Sequence, residues 1–328
     1  MIIDPTRKAI VVGCYGQDGT LLIADLEQQG VEVLGLGRNS MYRTNKMPEV
    51  EGPVDICNDK NVQRLIEIFS PDEVYYLPAY HTSSQEVHEV SPIEEYSASH
   101  NVHVIGLLSF LGALVKLKSK CRLFYASSSL IFSGEHGEVQ NEETPFSPKG
   151  IYAITKVQGM LLCREFREKY NVFASVGILY NHESHLRPDK FLSKKIIQSA
   201  IRISEGAREK CIVGDLAAKV DWGYAPDFVK AFQKILCHHE SMDFVVSTGE
   251  AHTVKSFVEI AFNYFGLHWE DHVVEDKKIL ARRPPVKIGD NSKLKNLTGW
   301  SYSIAFPDLI KKLILDSQIH GGAKNCHH

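Results

Sequence analysis

The fold of this chain is decided by residues 9–26, which read AIVVGCYGQDGTLLIADL. The first four residues are apolar and predict a buried parallel strand. The last six residues place apolar side chains at helical spacing, and three glycines separate the two segments. The order strand, glycine-rich turn and helix is the context in which such a turn binds a dinucleotide. An ordinary glycine-rich loop is the alternative interpretation.

Each glycine of this turn has its own predicted role. Gly13 permits the tight turn, Gly16 lets the backbone approach a pyrophosphate, and Gly19 lets the helix pack closely against the strand. The helix N-terminus directs free N–H groups at the phosphates. Gln17 and Asp18 lie between the glycines, and we expect them among the cofactor contacts. The spacing is G-x-x-G-x-x-G, not the G-x-G-x-x-G of the simplest dinucleotide-binding folds.

The second predicted strand, residues 31–36, indicates which nicotinamide cofactor is bound. An NAD-preferring site usually has an acid at the end of this strand, whereas an Arg suits the 2′-phosphate of NADP. Here the strand is followed by Arg38 and Asn39, with no acid. We therefore expect NADP, with NAD possible, although Arg38 as a solvated surface residue is the alternative. Asp55 and Ile56 follow a further turn and are expected to flank the adenine.

The following sequence alternates predicted strands and helices. Such alternation predicts an α/β fold, a doubly wound parallel Rossmann sheet with ligands at the carboxyl ends of its strands. We expect a smaller mixed α/β C-terminal lobe that binds substrate. The predicted strands are 73–77, 122–126 and 172–179, and the predicted helices are 94–115 and 151–170. The expected domains are an NADP-binding Rossmann domain over 1–180, rejoined by a strand and helix near 219–248, and a mainly substrate-binding lobe over 181–328.

Tyr152 and Lys156 are the candidate catalytic pair. Four residues apart on a helix, they lie on the same face. A lysine ammonium beside a phenol stabilises the phenolate and is expected to lower the pKa of the Tyr. The Tyr can then exchange a proton with a sugar or alcohol hydroxyl. Ser128 and Ser129, at the end of a predicted strand, are expected to hydrogen-bond the same oxygen and stabilise charge that develops on it.

Composition excludes several classes of function. The formal charge of the 328 residues is -3, so nothing electrostatic favours a nucleic acid or an anionic membrane as a partner. Seven cysteines without a C-x-x-C pair indicate reduced thiols in a cytoplasm. The N-terminus has no signal-peptide layout, and no apolar run approaches the length of a membrane span. The strings at 237–240 and 326–328 lack metal-ligand spacing, so we expect no metal.

Cationic residues recur after the first 180 positions. They could clamp a second diphosphate, and solvated surface charge is the equally weighted alternative. The candidates for substrate binding are Arg187, Lys194, Lys195 and Arg283.

Six short strings carry a resemblance to a known family. The chain resembles the extended short-chain dehydrogenase/reductases of the NAD-dependent epimerase/dehydratase family, and within it is most similar to the GDP-mannose 4,6-dehydratases. This resemblance implies a GDP-linked sugar substrate, with Asn181 and Glu183 on the substrate side, and a homodimer or tetramer built on the two long helices. The strings are GQDG at 16–19, ETPF at 143–146, NHES at 181–184, AKVDWGYA at 218–225, STGE at 247–250 and GDNSK at 289–293.

The chain departs from that family where the chemistry is decided. The dehydratases resemble A-S-T-S-E-L-Y-G at the serine strand, and their Glu shuttles the C5 proton and helps to expel water from C6. Here residues 126–134 read ASSSLIFSG, so Leu130 takes the place of that Glu. Val220 also replaces an Arg, and the later Arg-Pro segment is shorter and lacks an acid. Conventional dehydration is therefore in doubt.

Hydride transfer at C4 does not require the residues at which the chain departs from the family. It needs only the nicotinamide, Ser128, Tyr152 and Lys156, with Lys156 also expected to bind the nicotinamide ribose. The sequence therefore favours 4-keto reduction or C4 epimerisation of a nucleotide sugar. One alternative is a 4,6-dehydratase that uses another acid, such as Glu183 or a water. The other is a non-catalytic NADP-binding regulator, which retention of the Tyr and the Lys disfavours.

Overall fold

The computed structural model describes residues 7–43, 53–80, 91–134, 139–279 and 286–321. The predicted substrate residue Arg283 and the 326–328 string lie outside these ranges. In chain order the strands are β1 (Lys8–Val12), β2 (Glu32–Leu36), β3 (Met41–Arg43), β4 (Glu73–Tyr76), β5 (Arg122–Ser128), β6 (Val139–Gln140), β7 (Ala174–Leu179), β8 (Asn181–Glu183), β9 (Cys211–Val213), β10 (Lys219–Tyr224), β11 (Asp243–Val246), β12 (Ala251–Thr253), β13 (Val273–Glu275) and β14 (Ile288–Gly289).

The helices follow the strands in the alternation that the sequence predicts. In chain order they are α1 (Gln17–Gln28), α2 (Asp59–Phe69), α3 (Pro92–His100), α4 (Gly106–Lys116), α5 (Ile151–Tyr170), α6 (Leu192–Ser204), α7 (Ala225–Cys237), α8 (Val254–Asn263), α9 (Ser292–Thr298) and α10 (Phe306–Gly321). A π-helical turn, Asn101–Ile105, joins α3 to α4, and a 3₁₀ turn, Ser129–Ile131, follows β5.

A seven-stranded sheet forms the centre of the molecule, in the order β11-β7-β5-β4-β1-β2-β3. All neighbours pair in parallel except β3, which runs antiparallel to β2. Alternate residues of β1 enter different cores: Ile10 and Val12 pack with α2 and α4, whereas Ala9 and Val11 pack with α1 and α7. Burial on both faces explains why the strands read as continuous apolar runs. The predicted doubly wound α/β fold is confirmed.

The predicted helix over 94–115 is observed, but it contains a feature that the sequence did not predict. Residues 92–116 form one continuous helix that is widened at the π-turn Asn101–Ile105. By length and composition alone this helix could cross a membrane, contrary to the expectation from the sequence. Core helices share this length and composition, and 56% of the apolar window is buried inside the protein.

Three smaller sheets complete the described structure. They are β12-β10-β8, β13-β9 and β14-β6. A third core packs α6, α8 and α10 against one another around Trp222 and Phe257. β11 joins the large sheet although it lies beyond residue 180, whereas β10 belongs to the sheet with β8. The division of the chain into two domains at residue 180 stays a prediction.

Candidate active site

The turn between β1 and α1 has the backbone geometry that its glycines predict. Gly13 has a φ of +84°, a conformation that favours glycine. A Cβ on Gly19 would lie 2.4 Å from the carbonyl oxygen of Gly13, so only glycine lets α1 approach the turn this closely. The Gly16 N–H donates to the Gly13 carbonyl at 3.1 Å and precedes the first residue of α1. The predicted contact of Gly16 with a pyrophosphate stays a prediction.

The side chains of Gln17 and Asp18 bind the NHES string on β8 and after it. The Gln17 amide donates to the His182 carbonyl at 3.1 Å and accepts from the Ser184 hydroxyl at 2.9 Å. Both oxygens of Asp18 lie 3.0 Å from His182 Nε2. We call Gln17, Asp18, His182 and Ser184 the turn–strand junction. It ties the predicted cofactor turn to the predicted substrate side, and the cofactor contacts of its first two residues stay predictions.

The junction holds a buried pair of opposite charges. His182 Nδ1 donates to the Tyr180 carbonyl at 2.7 Å, so Nε2 must also carry a proton to donate to Asp18. Burial disfavours the imidazolium, but the adjacent Asp18 carboxylate outweighs burial and raises the pKa of His182. Burial likewise opposes the Asp18 charge, and His182 outweighs it, so the pKa of Asp18 is lowered.

The predicted catalytic residues meet where β5 ends and α5 begins. Ser128 is the last residue of β5, and Tyr152 is the second residue of α5. The Tyr152 hydroxyl forms a hydrogen bond with the Ser128 side chain. Lys156 lies one turn along α5, with Nζ 5.8 Å from the centroid of the Tyr152 ring. We call Ser128, Tyr152 and Lys156 the catalytic corner.

The predicted lowering of the Tyr152 pKa is wrong in this structure. Burial raises the pKa of Tyr152 to about 12, and the hydrogen bond from Ser128 offsets only part of that rise. The Lys156 ammonium donates to the carbonyl oxygens of Ala126 at 2.8 Å and Pro78 at 3.2 Å. Lys156 is 1% exposed, and burial lowers its pKa to about 7. Desolvation therefore drives both groups toward their neutral forms.

The chain continues from the catalytic corner into the 3₁₀ turn that carries Leu130. The Leu130 N–H donates to the Ser128 hydroxyl oxygen at 3.2 Å, which fixes the direction of that side chain. Ser129 is buried, and its carbonyl accepts from Lys287 at 3.3 Å. Leu130 is half-buried, so an apolar side chain stands where the resemblance places a carboxylate. The predicted role of Ser129 in binding substrate stays a prediction.

Two predicted substrate residues bind each other. The Glu183 carboxylate accepts from the Ser193 hydroxyl at 2.6 Å and forms an ion pair with Arg187 Nε at 3.2 Å. The Arg187 guanidinium lies 3.8 Å from the centroid of the Phe191 ring. Its charge contributes to lowering the pKa of Asp18 and opposes the rise in the pKa of Tyr152, which places it near both.

The remaining predicted substrate residues are spread over the smaller sheets and their helices. Asn181 is exposed, and its backbone pairs with Trp222 of β10. Lys194 donates to the His185 carbonyl at 2.9 Å and to the Ser317 hydroxyl of α10 at 3.3 Å. Lys195 is half-buried on α6. Their predicted contacts with a diphosphate stay predictions.

The predicted adenine and ribose residues follow the ends of β2 and of the next connection. Arg38 and Asn39 are exposed directly after β2. The Asp55 carboxylate accepts from the Cys57 N–H at 2.9 Å and so stabilises the turn that precedes α2. Ile56 packs against the core beside Gly106. Among the residues that the structure describes, no group of three or more His, Cys, Asp or Glu side chains could hold a metal ion.

His103 and His182 were missed as site residues by the sequence analysis. His103 is fully buried in the π-turn, and its ring meets the Tyr152 ring edge-on with 5.3 Å between centroids. One signal could have found it, since it is an ionisable residue inside the apolar part of a predicted core helix. His182 stands inside the NHES string, but its partner Asp18 is 164 residues away in sequence.

Comparison with known sequences gives a consistent family. The sequence model of a family described as GDP-mannose 4,6 dehydratase matches residues 10–313. GDP-mannose 4,6 dehydratase 1 of Arabidopsis thaliana is 33% identical, and the match covers 95% of this chain and 90% of the plant protein. GDP-mannose 4,6 dehydratase of Homo sapiens is 32% identical, with 94% of this chain and 91% of the human protein covered.

Solved structures support the fold. RMD from Pseudomonas aeruginosa, complexed with NADPH, superposes with a TM-score of 0.76 at 20% identity over 96% of this chain and 100% of that chain. UDP-glucose 4-epimerase of Thermus thermophilus, in complex with NAD, superposes with a TM-score of 0.76 at 21% identity over 95% of this chain and 99% of that chain.

Proposed function

The chain belongs to the GDP-mannose 4,6-dehydratase family, and from that premise we propose that it is an enzyme that transfers a hydride at C4 of a GDP-linked sugar with NADP as cofactor. The reaction is 4-keto reduction or C4 epimerisation. One observation carries the proposal: Tyr152 is hydrogen-bonded to Ser128 beside Lys156, while β5 leads directly into Leu130. This arrangement supports hydride transfer at C4, and Leu130 replaces the Glu that the family is expected to use in elimination.

The residues of the β1–α1 turn fit a dinucleotide. The lack of side chains at Gly13 and Gly19 keeps the turn tight and α1 close to it, and α1 begins with free N–H groups that suit phosphates. Gly16 precedes α1, and Arg38 follows β2 as an exposed cation that suits a 2′-phosphate. We assign Gln17, Asp18, Asn39, Asp55 and Ile56 to the same cofactor site. When bound, the nicotinamide supplies or accepts the hydride.

The corner suits proton donation. With its pKa raised to about 12, the Tyr152 phenol stays protonated near neutral pH and can give its proton to the C4 oxygen of a ketone as it is reduced. Ser128 shares a hydrogen bond with that phenol and directs it. Lys156 has a pKa lowered to about 7, so it can take up or release a proton near neutral pH. We assign it to the nicotinamide ribose as well.

Dehydration needs a second acid or base near C5 and C6, and Glu183 is a poor replacement for it. Its carboxylate is buried, accepts a hydrogen bond from Ser193 and forms an ion pair with Arg187. Recruiting it would break a buried ion pair, which costs about 3–5 kcal/mol in typical proteins. We assign Glu183 to holding Arg187 on the substrate side. We also assign Ser129, Asn181, Lys194, Lys195 and Arg283 to substrate binding.

Two incubations test the proposal. GDP-4-keto-6-deoxymannose with NADPH is expected to consume the NADPH and yield a 4-hydroxy sugar nucleotide, and GDP-mannose with NADP is expected to yield no 4-keto-6-deoxy product. Robust dehydration of GDP-mannose would overturn the proposal in favour of a dehydratase with a replacement acid. Binding of NADPH without turnover of any GDP-sugar would instead support a regulator. Leu130→Glu is the matched variant, expected to gain dehydration if the pocket accepts a carboxylate.

We also propose that the protein is a homodimer or tetramer that associates through the outer face of α3 and α5. Four large apolar side chains are exposed there: Ile93 is 79% exposed, Tyr96 37%, Ile154 40% and Leu161 48%. Exposed apolar clusters of this kind mark association surfaces. Light scattering is expected to report a dimer or a tetramer, and Leu161→Glu is expected to shift it toward monomer. A monomeric wild type would contradict this assignment.

Six free thiols among the described residues fit a reducing cytoplasm.

A further inference from the structure

His103 is presented to the catalytic corner by the π-turn. In this widened part of the helix, side chains from other elements bind backbone carbonyl groups. The Tyr76 hydroxyl donates to the Val102 carbonyl at 2.6 Å, and Cys57 Sγ donates to the Asn101 carbonyl at 3.4 Å. π-Turns of this kind are frequent at functional sites. The result is an imidazole with no exposed surface whose ring edge meets Tyr152 at an interplanar angle of 86°.

The hydrogen bonds of His103 fix its tautomer. The Tyr80 backbone N–H donates to Nε2 at 3.0 Å, and a backbone amide can only donate, so Nε2 carries no proton. Nδ1 therefore carries the proton of the neutral ring and donates to Thr155 Oγ1 at 2.8 Å, with Ser99 Oγ at 3.2 Å. The Thr155 hydroxyl in turn lies 3.0 Å from the carbonyl oxygen of Tyr152 and 3.1 Å from that of Ile151. A directed chain of hydrogen bonds thus leads from the loop after β4 to the backbone of the first turn of α5, which carries Tyr152.

The same loop also holds Lys156. Pro78, two residues before Tyr80, provides one of the two carbonyl oxygens that accept from the Lys156 ammonium. The loop is therefore bonded to α5 twice, directly through Lys156 and indirectly through His103 and Thr155. If the bond from Tyr80 to His103 were lost, the Pro78 carbonyl and the Lys156 ammonium would lose a support that keeps them in place beside the phenol.

We infer that His103 is a positioning residue: its neutral imidazole, with the proton on Nδ1, sets the Tyr152 phenol and the Lys156 ammonium in their relative positions. The inference rests on the proposed function only in taking those two residues as the catalytic pair. His103 acts through its hydrogen bonds to Thr155 and to the 78–80 loop. Misplacement of a catalytic group by an ångström can cost about 10²-fold in rate, which sets the scale of the expected effect.

Three variants test the inference. His103→Phe keeps an aromatic ring against Tyr152 but removes both hydrogen bonds. His103→Gln can accept from Tyr80 through its carbonyl and donate to Thr155 through its amide. Thr155→Val keeps the shape of the side chain and the bond from Tyr80 to His103, but removes the hydroxyl that accepts from Nδ1. The Gln variant serves as the matched control for the Phe variant.

Turnover and amide exchange are the two readouts. His103→Phe is expected to lower kcat by about 10- to 100-fold with little change in the KM for the sugar nucleotide, and His103→Gln is expected to recover most of the loss. Hydrogen exchange at the Tyr80 amide is expected to accelerate in the Phe variant and to stay slow in the Gln and Val variants. Thr155→Val is expected to lower kcat while Tyr80 stays protected, so the inference remains testable even if the Phe variant does not fold.

Two results would overturn the inference. One is a kcat for His103→Phe equal to that of the wild type, and the other is Tyr80 exchange that is unchanged in the Phe variant or rises equally in the Gln variant. Failure of the proposed function has a different signature. A wild type that turns over no 4-keto sugar nucleotide would contradict the proposed reaction, whereas amide exchange needs no substrate and still decides whether His103 holds the loop.

Discussion

The catalytic corner and the turn–strand junction bury ionisable groups with opposite outcomes. In the corner, the Lys156 ammonium contacts carbonyl oxygens, and burial lowers its pKa to about 7. In the junction, His182 faces both oxygens of Asp18, and the carboxylate outweighs burial and raises the pKa of the imidazole. Both regions lie at the carboxyl edge of the same sheet, so depth alone does not explain the difference.

The partner decides whether burial leaves a charge in place. A buried cation beside a carboxylate keeps its proton and acts as a fixed structural link. A buried cation beside neutral dipoles is driven toward its neutral form, and its pKa moves into the range where protons exchange. The junction therefore suits holding the β1–α1 turn against β8, and the corner suits moving a proton. Substitutions in the two regions are expected to have different consequences.

The largest expected effect comes from removing the phenol of the corner. Tyr152→Phe loses one hydroxyl and the proton that it donates, and general acid–base catalysis is typically worth about 10²–10⁴-fold in rate. Turnover of a 4-keto sugar nucleotide is expected to fall by that order while NADPH affinity, measured by fluorescence titration, barely changes. Near-normal turnover in the Phe variant would remove Tyr152 from the mechanism. Lys156→Met is expected to weaken NADPH binding more than Tyr152→Phe, because it also removes the expected ribose contact.

Arg38 provides a comparison outside both regions, since it is exposed after β2. Charge-assisted hydrogen bonds are worth about 1.5–3 kcal/mol, so Arg38→Ala is expected to weaken NADP binding by roughly 10- to 150-fold and to leave NAD binding unchanged. Calorimetric titration of both cofactors against both proteins measures the effect. Equal wild-type affinity for NAD and NADP would show that Arg38 is a surface residue without a role in cofactor choice.

Buried Lys156 is expected to cost stability in a pH-dependent way. Its folded pKa of about 7 lies below its ordinary 10.5, so the cost is full below about pH 7 and fades as the pH rises toward 10.5. The difference in melting temperature, Lys156→Met minus wild type, is expected to be more positive near pH 6 than near pH 10, by an amount on the order of a few degrees. A difference that grows with pH would contradict burial of an unpaired ammonium.

The junction is expected to stabilise the fold over a different pH range. Its stabilising contribution is lost as the pH rises, whereas the destabilisation caused by Lys156 fades as the pH rises. Because the folded pKa of His182 is raised, its contribution is full below its ordinary 6.5 and is lost as the pH rises through the raised value. The lowered pKa of Asp18 keeps that carboxylate charged throughout this range. His182→Gln is expected to be destabilised more near pH 6 than near pH 9, as measured by the free energy of unfolding at the two pH values. A pH-independent loss would show that packing, not the ion pair, is what His182 contributes.

Features that depend on local backbone geometry were predicted from the sequence. Gly13 has the positive φ that its place in the turn predicts, and Gly19 allows the predicted close approach of α1. Both features follow from a strand turning directly into a helix. The parallel sheet was also predicted, because strands that are buried on both faces read as continuous apolar runs in the sequence. The π-turn was not predicted, because the side chains that bind its carbonyls, Tyr76 and Cys57, come from other elements.

Features that depend on distant partners were missed or wrong. The position of Lys156 on the helix was predicted, but its carbonyl partners, which come from the loop after β4 and from β5, were not. Burial by the surrounding elements raises the pKa of Tyr152, where the sequence analysis expected it to fall. The pairing of Asp18 with His182, 164 residues away in sequence, was missed. A one-letter pattern specifies which groups are present, but the choice of partner is made by tertiary packing.

The position to which hydride is delivered tests the central claim most directly. In dehydration, the hydride that leaves C4 returns to C6 after water is lost across C5 and C6, whereas reduction and epimerisation deliver it to C4. The measurement is to incubate the wild type with GDP-mannose deuterated at C4 plus NADP, and separately with a 4-keto GDP-sugar plus NADPH deuterated at the transferable position, and to locate the label by NMR. We expect deuterium at C4 of every product. Deuterium at C6 would contradict the account and identify the protein as a dehydratase that has replaced its missing acid.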